Sequence, residues 1–461
     1  MMSLGRKSTL FLAYAYEFEA GGGGEAALRT DHADWKKHTI KGAALLPHLD
    51  EYVRKGELLR SYEVAGDLRA AFGGRDAWTL TDGETNVEVV ITDPPRLYAL
   101  DTGYAFVVLG VCPAGTATDE LTLAALQDAA YSIGRAGVSQ VGGVSPQMKK
   151  WLATSHFEDA EPISLRRWLA RLVPNLRPDA PRGTPRTTAP ALLSVTLAKE
   201  PLGREDLHRL RLVHRSDQFV EPAVEPGEEQ GVWRVSQREV CMFSSFGFSW
   251  VVASNESSQF LSDAPHMIRD RYVYKWLLVE HQRLCLLALA TECADMSKGL
   301  DGSNFAEMRM RLLEFIAKYN FRHVSNEERH DGFYKRVRDA LSIDDLLAEV
   351  REEVVEIDTQ LAARRAETLN HVLAFLTLVL TPVGIACSIF QTDTIPGKFR
   401  LEKLLSASAW GHLFTHGPFL VVLCAASLGA IVYGRVFGGR VVARLLRTLI
   451  LPRALRDKSQ R

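Results

Sequence analysis

Two apolar stretches near the C-terminus constrain this chain more than any other feature. No Asp, Glu, Lys or Arg occurs from Asn370 to Thr392 or from Gly411 to Gly434. A helix rises ~1.5 Å per residue and a bilayer's hydrocarbon core is ~30 Å thick, so each stretch is long enough to span it. Burying both as a helical hairpin would need a very large surrounding core. The pattern predicts a membrane protein with two spans, residues 366–390 and 413–434, and a large head.

Charge supplies an orientation. The formal net charge is -1, which gives no push toward nucleic acid, and no nucleic-acid partner is expected. Past the second stretch, Arg435, Arg440, Arg444, Arg447, Arg453, Arg456, Lys458 and Arg461 make a basic tail, whereas the loop between the stretches holds Lys398, Arg400 and Lys403 as its cations. The positive-inside rule then puts both termini of a multi-pass inner (plasma) membrane protein in the cytoplasm, with lipid headgroups against the tail. The cysteines show no CxxC spacing and read as packed thiols.

The rest of the chain divides by pattern. Residues 1–176 read as an α/β cytoplasmic region, with strand-like runs at 8–18, 86–92 and 105–111 and a helix start at Thr118-Asp119-Glu120. Four prolines within 177–190 mark a linker. Residues 191–261 continue the head as a β-rich section, where Phe243, Phe246, Phe248 and Trp250 fit the core of a sheet better than a ligand platform. Residues 262–365 form a long-helix bundle and stalk, with helices expected at 263–298 and 303–320 and a third from Ile343. Along that third helix, Leu347, Val350, Val354, Ile357 and Leu361 make a heptad seam. Residues 391–412 would be an external loop and 435–461 a cytoplasmic tail.

Within the first apolar stretch the polar residues keep to one face. Asn370, Ala374, Thr377, Thr381, Gly384 and Ser388 follow steps of four and three. Two accounts fit: close helix–helix packing through small residues, or the wall of an ion pore. The stripe extends to Glu367, Glu356 and Glu353 on one side and to Gln391, Thr392 and Asp393 on the other. Several copies around an axis would thus place acidic rings at both ends of a hydroxyl-lined tube, and such rings concentrate cations.

This arrangement resembles the CorA family of divalent-cation channels. The residues that carry the resemblance run from about 343 to 437: the acidic stalk IDDLLAEVREEVVEIDTQL, the segment RRAETLNHVLAFLTLVLTPVGIACSIF, and a last span ending in Tyr433 before the basic tail. The resemblance implies an α/β head, a long stalk helix, two C-terminal transmembrane helices and a homopentamer. It also implies an axial pore lined by Asn370, Thr377, Thr381, Gly384 and Ser388, with magnesium or another divalent cation as the transported or regulatory ion. The family ends its first span in Gly-Met-Asn; here Gln391, Thr392 and Asp393 stand in register, so magnesium selectivity does not carry over.

Catalytic chemistry finds little support. Gly5-Arg6-Lys7-Ser8-Thr9 lacks the upstream glycine of a phosphate loop. His323 and His330, and the pair His412 and His416, lack further zinc-type ligands. The expectation is a non-enzymatic cation channel. The alternative is a signalling or defence membrane effector whose head binds a nucleotide or protein signal, with a small molecule or nucleotide as gating ligand.

Overall fold

The computed structural model describes residues 8–18, 34–39, 45–55, 58–73, 76–82, 84–114, 122–154, 163–181, 189–219, 231–253, 259–297 and 302–391. In chain order they form β1 (Thr9–Glu17), β2 (Trp35–His38), α1 (Pro47–Lys55), β3 (Leu59–Val64), α2 (Gly66–Phe72), β4 (Ala77–Thr81), β5 (Asn86–Leu100), β6 (Tyr104–Pro113), α3 (Leu123–Gly134) and β7 (Gln140–Gly143). There follow α4 (Pro146–Thr154), α5 (Leu165–Arg171), β8 (Ala191–Ala198), α6 (Arg204–Leu212), β9 (Val232–Arg234), β10 (Glu239–Ser244) and β11 (Gly247–Ala253). The last elements are α7 (Gln259–Ile268), a π turn (Arg269–Val273), α8 (Tyr274–Ser297), α9 (Gly302–Lys318), α10 (Glu328–Ala340) and α11 (Ile343–Gln391).

All the described strands join one mixed eleven-stranded sheet, ordered β2-β3-β5-β6-β1-β8-β11-β10-β9, with β4 on β5 and β7 on β4. β1 sits centrally, antiparallel to both β6 and β8, while β8 and β11 run parallel. A parallel pair needs a crossover, here the segment that contains α6. Strands buried on both faces read as near-continuous apolar runs, as β1, β6 and β11 do. On one face Leu10, Leu12, Tyr14 and Tyr16 pack into a core with Phe72 of α2, Leu126 of α3, Met148 of α4 and Trp168 of α5. On the other, Trp250 meets Tyr272 of the π turn and Phe333 of α10 at ring separations of 4.5 and 5.9 Å. The aromatic run of β10 and β11 is therefore sheet core.

β5 shows how a sequence rule bends. Pro94 and Pro95 lack N–H donors, which argues against a strand beyond Thr92. The strand nevertheless continues to Leu100, because its pairing with β6 slips between Ile91 and Asp93 and again between Asp93 and Arg96. These irregularities leave the prolines without ladder partners to lose. Gly110 opposes the first slip: a Cβ there would lie 2.6 Å from the Cβ of Asp93.

The helical region also departs from a simple periodic reading. The helix expected over 263–298 is interrupted by the π turn at Arg269–Val273, which follows Pro265, a residue with no N–H for the helical ladder. α10 escapes periodic reading because Gly332 and many charges break its pattern, yet Phe333, Tyr334 and Val337 are buried. The seam residues Leu347, Val350, Val354, Ile357 and Leu361 of α11 are all buried. Two compact units divide after Val354, within α11.

The expectation of a CorA-type fold with two transmembrane helices is corrected here. The described residues build a mixed α/β body on an eleven-stranded sheet, and among them no helix is long and apolar enough to cross a membrane. α11 has the length, 49 residues, but its described apolar positions are interleaved with Glu367, Asn370, His371, Thr377 and Thr381. The second apolar stretch, 413–434, its preceding loop with His412, the residue His416 and the basic tail lie outside the described residues.

Candidate functional site

Three elements converge on a cleft of about 400 Å³, within the range typical of small-molecule sites. The first is the β5–β6 hairpin, where Gly103 (φ +88°) takes the left-handed conformation that glycine adopts freely. The tight turn presents Asp101, Thr102 and Tyr104 to the cleft. The second is α8, on which His281, Cys285, Leu289 and Glu292 recur at steps of four, four and three and so share a face. The third is α9, whose Arg311, Glu314, Phe315 and Lys318, with Tyr319 just beyond, close the far wall.

Hydrogen bonds fix the inner end. The Thr102 hydroxyl lies 2.7 Å and the Cys285 thiol 3.3 Å from His281 Nε2, so both converge on one ring nitrogen. Tyr319 donates its phenol to Asp101 Oδ2 at 2.7 Å. The His281 ring stands edge-on to Tyr319 and Tyr104 at 5.1 and 5.9 Å. At the rim, Arg311 donates to Glu292 at 2.7 Å and Lys318 to Glu314 at 2.5 Å. Both cations are about half exposed, 51% and 57%, a setting in which such pairs are weak and open to exchange.

Burial sets the protonation of the inner groups. It pushes His281 down to about 3. The Cys285 thiol is pushed well up, chiefly by burial and then by the nearby Asp101 charge. Burial raises Asp101 as well, while the bond from Tyr319 opposes it. A cysteine beside a histidine has the composition of a nucleophile–base pair, but the nucleophile must be a thiolate. Here a neutral thiol meets a neutral imidazole, an arrangement suited to recognition by hydrogen bonds rather than attack.

The pore residues inferred from sequence lie elsewhere. Asn370, Thr377, Thr381 and Gly384 are exposed along α11, as are Glu367 and Glu356. Several of their contacts are to the same helix: Thr377 donates to the Leu373 carbonyl at 2.8 Å, Gln360 to Glu356 at 2.9 Å, and His371 lies 3.7 Å from Glu367. Ser388 and Gln391 belong to the α11 backbone, and Thr392 and Asp393 lie outside the described residues. Glu353 is half-buried against the Cys293 thiol of α8, which burial and then the Glu353 charge push up to about 11. Within one chain these residues string along a helix rather than gather. From 353 to 391 the helix extends ~57 Å.

The cleft residues carried one sequence signal, the four-residue spacing of His281 and Cys285. Nothing local announces Asp101 and Thr102: Thr102 meets His281 of α8 across 179 positions and Asp101 meets Tyr319 across 218. Among the described residues, no group of three or more His, Cys, Asp or Glu could hold a metal ion. No protein-family model matches the chain, and the curated proteins and solved structures compared with it also give no match.

Proposed function

We propose that this chain is a signal-binding protein whose cleft between the β5–β6 hairpin, α8 and α9 takes a nucleoside or nucleoside monophosphate. The observation that carries this reading is the pairing of aromatic rings with a polar rim. Tyr104, Phe315 and Tyr319 offer aromatic surface, Asp101 and Thr102 offer hydrogen-bonding groups, and Arg311 and Lys318 stand at the edge. Charge limits the ligand. Asp101, Glu292 and Glu314 outnumber Arg311 and Lys318, so a triphosphate would meet net repulsion, whereas one phosphate can displace the weak rim pairs.

A relay to α11 follows from adjacency. Glu292 lines the cleft and its neighbour Cys293 meets Glu353, so occupancy that shifts α8 is felt at the start of α11. Titration calorimetry of the full chain with adenosine, AMP and ATP tests the proposal. Adenosine or AMP is expected to bind more tightly than ATP and to lose at least tenfold in Tyr319→Ala. Absence of binding by any nucleoside or nucleotide, or equal binding by the variant, refutes it.

A second reading, cation conduction across a lipid bilayer by several copies of the chain, is favoured by the exposed line of Asn370, Thr377, Thr381 and Gly384 on α11. Cation flux into liposomes holding the full chain, reduced by Thr381→Leu, supports it. No flux with any monovalent or divalent cation, with or without nucleotide, sinks it.

A further inference from the structure

A second cavity, of about 140 Å³, lies over β2 and β5 against the π turn and is lined by His38, Arg96, Tyr98, Arg269, Asp270 and Tyr274, with Thr39 at its margin. Tyr274 and Cys285 both belong to α8, eleven residues apart, which separates this cavity from the cleft by ~16 Å along the helix. The proline-induced slip in β5 and the π turn build it together. The slip brings Asp93 and Arg96 toward the helical layer, while the wide turn lets Arg269, Asp270 and Tyr274 face the same side.

The two guanidiniums are not equivalent. Arg269 is largely consumed: Nε and Nη2 donate to the two oxygens of Asp270 at 2.8 and 3.2 Å, and Nη1 donates to Asp93 at 2.5 Å. Arg96 gives one bond, from Nη1 to Asp270 Oδ1 at 2.9 Å. Its Nε and Nη2 have no hydrogen-bond partner among the described residues, although the side chain is only 13% exposed. His38 is in a similar position, with Nδ1 3.6 Å from Glu63 and Nε2 unengaged by the described residues. A largely buried guanidinium with spare donors at a small cavity is complementary to an oxyanion.

We infer that this cavity binds a small tetrahedral oxyanion, an inorganic ion or the phosphoryl group of a small metabolite, held by Arg96 and His38. The carboxylates of Asp93 and Asp270 balance the two arginines, and Glu63, with Arg69 3.9 Å away, adjoins His38. The empty cavity is thus close to neutral, and the charge that favours an anion comes from protonating His38. Burial and the charges of Arg96 and Arg269 hold that imidazole below its ordinary value, against Glu63 and Asp270, which raise it. An oxyanion beside it reverses the balance, so binding takes up a proton and tightens as pH falls.

Sulfate is the informative probe because it does not titrate between pH 6 and 8. Equilibrium dialysis of the full chain against radiolabelled sulfate is expected to show one site that tightens about threefold or more from pH 7.5 to 6. Arg96→Gln abolishes the site and His38→Gln removes its pH dependence. Competition by phosphate alone identifies a free ion as ligand, and equal competition by glycerol 3-phosphate identifies a phosphoryl metabolite. Should Arg96→Gln fail to fold, as judged by near-UV circular dichroism, His38→Gln alone decides. No sulfate bound at pH 6, or a pH profile unchanged in His38→Gln, overturns the inference.

Discussion

Lys275 is fully buried at the first turn of α8, where its ammonium loses solvent and gains few charges in return. Its Nζ donates to the Arg271 carbonyl at 2.9 Å, lies 3.1 Å from His330 Nδ1, and stands 4.9 and 5.5 Å from the Tyr274 and Tyr272 ring centroids. Burial pushes its pKa down from 10.5 to about 7, Arg271 adds to the fall, and Glu327 opposes it. At 1.36 kcal/mol per pKa unit, that fall corresponds to on the order of 5 kcal/mol of lost stability below pH 7, where both states carry the proton, and to progressively less as pH rises toward 10.5. Because the folded value lies below the unfolded one, the unfolded state binds more protons between pH 7 and 10.5, and stability rises with pH across that window. Lys275→Met removes the penalty and forfeits at least two hydrogen bonds, each worth about 1 kcal/mol. The variant is therefore expected to be about 1–3 kcal/mol more stable at pH 7, an advantage that shrinks and reverses by pH 9.5. Urea unfolding of the full chain, followed by tryptophan fluorescence at half-unit steps from pH 7 to 9.5, measures this. Thiols and phenols of the unfolded chain also titrate near the upper end, but they are common to both proteins, so the difference isolates Lys275. A difference that stays constant across the window, or a variant less stable at pH 7, refutes the reasoning.

Other perturbations probe the sheet and the cleft. Trp250→Ala opens a cavity between β11, the π turn and α10, and about 3–5 kcal/mol of stability is expected to be lost in the same urea assay. Gly110→Ala sets a Cβ against Asp93 and the Phe11 ring, so a loss of about 1–3 kcal/mol is expected in the same assay. Tyr319→Phe takes the phenol donor away from Asp101, an exposed residue of the β5–β6 turn. A loss of about 1–2 kcal/mol at pH 7 is expected, smaller at pH 4.5, where Asp101, raised by burial, is closer to neutral.

Local pattern was enough for several features. The apolar runs of β1, β6 and β11 announce buried strands. Four-and-three spacing announces α11, and its heptad residues from Leu347 to Leu361 are buried as that spacing requires. The aromatic residues Phe243, Phe248 and Trp250 read as sheet core and pack as such. These features succeed because the periods of 2 and 3.6 are properties of a single segment.

Long-range placement was not legible in the same way. The apolar stretches at 370–392 and 411–434 are facts of the sequence, and the fold inferred from them gave way to an α/β body centred on one sheet. Strand order is decided by pairing between segments as distant as β1 and β8, on which hydropathy is silent. The double proline of β5 looked like a strand end, and only pairing with β6 shows that a bulge can carry the strand past it. Both candidate sites depend on that kind of information. His281 and Cys285 share a helix face by sequence, but Thr102 completes their contact from the β5–β6 turn. Arg96 becomes an anion donor because tertiary packing buries it beside a π turn that uses one carboxylate for two arginines. Sequence determines which faces are apolar; packing determines which polar groups are enclosed together, and enclosure is what turns them into a site.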